Sequence, residues 1–468
     1  MKRQAASNSR LAHLFLARAV PGLINLLGLL ILTRALEPAQ YGIYAVTMSS
    51  ALLVSALSFH WLVQGVSRFS YAYRDERTRF LSNLGAGYGF AALAVVCAYP
   101  AVAAISGQSV RSAILIILIG CMIALLNGLF EILGALAVAE LRNRAYSTLV
   151  VTKSVITAAA IFLMTRLEAV ASSALLCVMA GLVAAILSQS AAVHAMLSPR
   201  RDREVMGRVV QQGVPLSIHY GLTLALAFTD RSIVAGLLGA SATGFLAVTS
   251  DVAGQTLVML MTVVYMSFFP LLLRAWESAD DLSIKSRFQQ GFRLLTVVGL
   301  PAATCGMLFA PNLAYLLMGE PFRETGEQLV PWVIAAALLS AFKVFYADLH
   351  FILAGKVLGL VPQSVAMLSV SVAAQFAVIP SMGLKGAVTV MVIVQALGLV
   401  MSCVRVRREF PLPIDIRVLC FSALVCVVFA ALFWPWRNMV GIGAGFAQTC
   451  LLGLMFACAH VVTRRVTV

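Results

Sequence analysis

Lys343, Tyr346 and His350 stand at i, i+3 and i+7 of the apolar segment 331–353, a spacing that sets an ammonium, a phenol and an imidazole on one helical stripe. A charged side chain near a bilayer centre costs about 2.5–3.5 kcal/mol on insertion scales, so this lysine needs either a use or a partner. The stripe suits an anionic pyrophosphate or sugar hydroxyls; the alternative is a lysine paired with a carboxylate from another helix. Arg18 lies about 10 Å into the first apolar segment and shares a face with Asn25 at i+7, where it reaches into a cavity or snorkels back to the interface. Asp230 and Arg231 are chain neighbours pointing about 100° apart, so each wants a partner on another helix. Arg231 reads as a headgroup contact and Asp230 as a gate or ion-coupling carboxylate, against a structural polar network in which Arg34 partners Asp230. Glu131, with Asn127 at i−4, is either a coupling carboxylate or the mate of Lys153. Asp348, Asp251, His219 and His60 are further titratable groups that no spacing singles out, and Asp348 joins Asp230 and Glu131 as a coupling or gate candidate.

These residues are set in a chain of 468, of which 61% is hydrophobic and 11% charged, with a mean hydropathy of +0.94. No soluble core of that length hides so much apolar surface, so the chain is expected to be a polytopic membrane protein. Spans of about 20 apolar residues number fourteen, from 11–33 to 441–462, with twelve or thirteen as alternatives. They are continuous apolar runs without strict alternation, which selects helices over a barrel and makes the fold class all-α. MKRQAASNSR and the run after it superficially resemble a signal peptide, but Arg18 and Pro21 interrupt the run and the expectation is a retained first span. With the N-terminus inside, the inner loops carry 24 Lys and Arg and the outer ones 6, which predicts that both termini are cytoplasmic.

No loop exceeds roughly 26 residues, leaving no room for an extramembrane catalytic or nucleotide-binding domain, and Walker A, HExxH and GxSxG patterns are absent. Enzymatic chemistry and ATP-driven pumping by this chain are therefore not expected, and an ion or substrate gradient must drive it. The net charge of +15 is scattered over short loops, which fits membrane topology and anionic headgroups better than nucleic acid. The nine cysteines fall within predicted spans without CxxC spacing, so they read as packing residues, and no metal or cofactor is expected.

Tyr41–Thr47 reads YGIYAVT and Thr243–Thr249 reads TGFLAVT, sharing Gly, Ala, Val and Thr at an offset of 202. Each follows an apolar stretch and a short turn, and each lies past a Val-Pro pair, Val20-Pro21 or Val214-Pro215. Six spans precede the second copy, an even number, so the halves share one orientation and a substrate site is expected between them. The expected organisation is a six-helix lobe over 1–200, a second over 201–410 and two additional helices over 411–468.

LTRALEPAQYGIYAV near the N-terminus and GVPLSIHYGLTLALAFTDRSIVAGLLGASATGFLAVTSDV with FFPLL in the middle resemble the polysaccharide transporters and O-antigen-type flippases of the multidrug/oligosaccharidyl-lipid/polysaccharide (MOP) exporter superfamily. Gly213, Pro215, Asp230, Arg231, Gly239 and Gly244 stand where that pattern expects them, while Leu246 replaces its usual tyrosine. The resemblance implies a bilobed transporter of the bacterial inner membrane that flips a lipid-linked oligosaccharide, carried on undecaprenyl pyrophosphate, by alternating access. It also implies H+ or Na+ as coupling ion and a polysaccharide polymerase and other assembly proteins as partners, for exopolysaccharide, capsule or O-antigen assembly. The alternatives are multidrug export by the same fold, which a cationic cavity disfavours, and a membrane polymerase or ligase. The latter class needs a sizeable outer loop, and the longest here contributes only Arg323.

Overall fold

The computed structural model describes residues 21–105, 114–166, 169–197 and 202–466, and every regular element among them is a helix. Ten helices are long and apolar enough to cross a membrane, and an eleventh span forms if one pair bent by 80° is counted together. Packing divides the chain into two compact units, Met1–Gly244 and Phe245–Val468.

The first unit contains α1 (Pro21–Ala35), α2 (Pro38–Phe69), α3 (Arg77–Ile105), α4 (Ile114–Ala139), α5 (Asn143–Met164), the bent pair α6 (Ala171–Leu187) and α7 (Ser190–Met196), and α8 (Arg203–Leu238). Its core is a continuous cluster in which Phe59 and Leu62 of α2, Leu81 of α3, Ile123 of α4, Leu149 of α5 and Leu175 of α6 are essentially inaccessible. Lipid tails are as apolar as leucine, so helices in a bilayer associate through close packing of small residues. The α2–α8 pairing shows this: Gly213 lies against the Trp61 backbone, Gly221 against Leu57 and Gly65 against Val209. Pro215, inside α8, does not end the helix, whose first turn is capped by the Asp202 carboxylate accepting from the Glu204 N–H at 2.8 Å.

Within the first unit, Gly42 at the start of α2 meets Ala240 and Gly244 at the start of α9 (Ala240–Ala253). A Cβ on Gly42 would strike the Ala240 carbonyl, and one on Gly244 would strike the Pro38 carbonyl. Each glycine thus sits against the residue four before the other, so the contact repeats the 202-residue offset. Thr47 donates to the Ile43 carbonyl at 2.8 Å and Thr249 to the Phe245 carbonyl at 2.7 Å, the same bond in each copy.

In the second unit α9 continues through a π-turn, Gly254–Val258, into α10 (Met259–Glu277). Then come α11 (Asp281–Leu308), α12 (Ala310–Leu317), α13 (Glu320–Phe342), a second π-turn (Lys343–Ala347), α14 (Leu349–Leu353), α15 (Val361–Arg407), α16 (Ile416–Phe433) and α17 (Ile442–Val466). The 47-residue α15 breaks at Gly383, whose φ of 58° and ψ of −141° only glycine adopts readily. The last two helices pack on α11: Cys305, Leu308 and Phe309 share a buried cluster with Cys426, Phe429 and Met455.

Candidate functional site

The π-turn after α13 sets the geometry around Lys343. The Asp348 N–H donates to the Lys343 carbonyl at 2.8 Å, an i→i−5 bond that puts one extra residue in the turn. Asp348 is thereby swung onto the face of Lys343, and Nζ lies 2.6 Å from Oδ2, with the two residues 6% and 2% exposed. The other carboxylate oxygen accepts from Ser402 at 2.5 Å, and Ser402 Oγ accepts from Gln363 Nε2 at 2.6 Å. Gln363 also donates to the Gly398 carbonyl at 2.9 Å, tying both halves of α15 to the pair. Lys343 therefore meets a carboxylate from its own chain segment, five residues on, and not from a separate helix.

The same extra residue breaks the expected stripe of Lys343, Tyr346 and His350. Tyr346 turns towards α11, packing on Phe288 and Phe292, and its hydroxyl donates to the Pro413 carbonyl at 3.1 Å. His350 stacks on Phe410 at 5.3 Å, meets Trp276 edge-on, and holds Nε2 3.8 Å from Glu409. All three side chains are buried, each among different neighbours.

In the first unit, Arg231 Nη1 donates to Ser49 Oγ at 2.8 Å and more weakly to the Ala45 carbonyl at 3.4 Å. This ties α8 to α2 one turn past the Gly42 contact. Asp230 beside it is buried, and Asn25 of α1 is exposed. Arg18 lies outside the described residues. Glu131 on α4 joins a polar cluster with α2: Asn127 Nδ2, also on α4, reaches Glu131 Oε1 at 3.3 Å and Ser55 Oγ of α2 at 3.2 Å, and His60 Nδ1 of α2 lies 3.9 Å from Glu131 Oε2. Lys153 Nζ sits 4.6 Å from the centre of the Phe130 ring and also acts electrostatically on Glu131. Lys343 with Asp348, and Asp230 with Arg231 and Glu131, thus belong to two separate units. Ser402, Gln363 and Ser49 are partners that the sequence does not reveal, since small polar side chains carry no periodic signal in an apolar run.

At helix ends outside the spans, carboxylates are held by cations and caps. Asp202 lies below the usual carboxylate range through the Glu204 backbone N–H and Arg79, and Glu409 through the hydrogen bond from Lys356 at 2.6 Å. Burial pushes Asp415 up, but the Val418 N–H and Arg293 outweigh it and hold the carboxyl low. Arg293 Nη2 stands 2.7 Å from Asp415 and links α11 to the start of α16. A cavity of about 240 Å³ opens where α17 meets α11, α12 and α13, lined by Cys305, Phe309, Ile334 and Leu452, with Asn312 donating to Gln448 Oε1 at 2.7 Å. Cys97, Cys121, Cys177, Cys305, Cys403, Cys420, Cys426 and Cys450 are free thiols.

Solved structures share this all-helical fold of long apolar helices. A multidrug-resistance MATE family transporter of the MOP superfamily, inward-facing, superposes with a TM-score of 0.67 at 15% identity, covering 85% of this chain and 97% of that one. The lipid II flippase MurJ, inward closed, gives 0.72 at 11% identity, covering 96% and 98%. A MOP superfamily transporter from Pyrococcus furiosus gives 0.54 at 13%, covering 84% and 94%. No curated protein matches the sequence significantly. Residues 31–327, more than half of the chain, match the polysaccharide biosynthesis protein family, and the chain belongs to it.

Proposed function

We propose that this protein flips a lipid-linked oligosaccharide, built on undecaprenyl pyrophosphate or a similar anionic carrier, from the inner to the outer leaflet of the bacterial cytoplasmic membrane by alternating access. The reading rests chiefly on coverage: the flippase fold accounts for 96% of the chain where the multidrug transporter accounts for 85%. Membership of a polysaccharide biosynthesis family supports a glycan cargo. Fourteen spans fit this reading, with α15 crossing twice about Gly383, α6–α7 crossing once, and the shorter α1 and α17 crossing once each. The proposed lobes are 1–200 and 201–410, followed by α16 and α17, with both termini cytoplasmic.

Among the candidate contacts, Arg18, Asn25, Arg231, Lys343, Tyr346 and His350, the two cations Arg231 and Lys343 fit a pyrophosphate best. Lys343 meets a phosphate only when Asp348 yields, which makes Asp348 the gate of that site. Asp230 and Glu131 remain the coupling carboxylates for H+ or Na+. The reading is tested by deleting the gene and assaying leaflet distribution: lipid-linked repeat units accumulate on the cytoplasmic leaflet. An unchanged distribution overturns it. The likeness to the multidrug transporter supports export of small molecules as a second reading, which predicts drug hypersensitivity in the same strain.

A further inference from the structure

His60 is held in a way that fixes where its protons sit. Its Nε2 lies 2.9 Å from Gln64 Nε2 one turn along α2, and an amide nitrogen only donates, so the imidazole nitrogen accepts. Neutral His60 therefore carries its proton on Nδ1, the nitrogen aimed at Glu131 Oε2 across 3.9 Å, and this buried atom has no hydrogen-bond partner. That separation is too long for a hydrogen bond and short enough for an ion pair. The Tyr220 ring from α8 covers one face of the imidazole at 4.2 Å. Both side chains keep some access, 15% for His60 and 29% for Glu131, so water can deliver a proton.

Among the described residues, charged and titratable groups approach the pair from α3, α5 and α8. Lys153 acts on Glu131 from α5, and Tyr220 lies over His60 from α8. Tyr88 of α3 donates its hydroxyl to the Leu125 carbonyl at 3.0 Å. Asn127 supplies Glu131 with a neutral donor.

We propose that His60 and Glu131 form a proton-loading site within the first unit, in which the arriving proton binds His60 Nε2 and Gln64 turns its amide to receive it. A hydronium O–H bond breaks and the Nε2 lone pair forms an N–H bond. Gln64 must then present Oε1, and the imidazolium faces the anionic Glu131 from Nδ1. One proton thus replaces a neutral contact by an α2–α4 ion pair. As a coupling element this rests on the transport reading; as a protonation site it does not.

The test uses the full chain in lipid bilayers with 15N-labelled histidine. The protein has six histidines, and His60→Gln identifies one set of signals. At alkaline pH the His60 signals report the Nδ1–H tautomer, and on acidification both nitrogens become N–H. Gln64→Leu shifts the neutral form towards Nε2–H. Direct titration of His60→Gln shows about one proton per chain fewer taken up on acidification. An Nε2–H tautomer in the wild type, or a His60 that stays neutral throughout, overturns the inference whatever the transport assay shows. Glu131→Gln retains His60 and supplies the same tautomer readout if His60→Gln folds poorly. Where the signals behave as expected, His60→Gln and Glu131→Gln flatten the pH profile of flipping. An unchanged profile removes the coupling role, while normal lipid distribution in the deletion strain removes the flippase reading alone.

Discussion

Removing one member of a buried ion pair leaves the other uncompensated, which typically costs about 3–5 kcal/mol. Asp348→Asn is therefore expected to lower the thermal midpoint in detergent substantially, because Lys343 loses the carboxylate charge that it pairs with. The double variant Lys343→Met/Asp348→Leu recovers most of the loss; a single variant as stable as wild type would refute the pairing. The carboxylates at helix ends give a second expectation. Asp202, Asp280, Glu409 and Asp415 all ionise more readily when folded, Asp280 through the Ser283 side chain and N–H. A depressed folded value contributes stability that is present above the unfolded range, near pH 4, and is lost as pH falls through the folded value. The contribution of these carboxylates should be constant above about pH 5 and be lost below about 4; a thermal midpoint that does not fall below about pH 4 would contradict this. Lysine in an apolar run was legible as anomalous, and its carboxylate was not, since a partner at i+5 has no place in α-helical periodicity.

At the scale of elements, the apolar runs announced the helices, and the two halves of α15 were separable at 380–387 because Pro380 and Gly383 interrupt the pattern. The π-turns were hidden: GQTLV and KVFYA hold no residue that demands one. An extra residue in a turn is stabilised by what it aligns, here Lys343 with Asp348, so it belongs to tertiary structure and not to local propensity. Gly383→Ala forces a side chain into a backbone region that costs about 1–3 kcal/mol. Its effect should appear as a lowered unfolding midpoint, and an unaltered midpoint would mean that the break relocates freely.

For the whole molecule, α16 and α17 were legible as spans but not as parts of a packed unit. Their contacts with α11, the Arg293–Asp415 pair and the Asn312–Gln448 bond make them structural neighbours of the helices that precede them. A chain ending at Phe410 exposes Cys305, Leu308 and Phe309 and strands Arg293, and its abundance in membranes should fall well below that of full-length protein. Equal abundance would show that the pair is an accessory layer. The meeting of Gly42 and Gly244 has a different consequence, because the atoms in contact are main-chain on both sides. A larger residue in one copy cannot be accommodated by a smaller one in the other, as the partner has no side chain to shrink. Each glycine is thus demanded by the backbone opposite it, and a side chain at either position is expected to part the starts of α2 and α9.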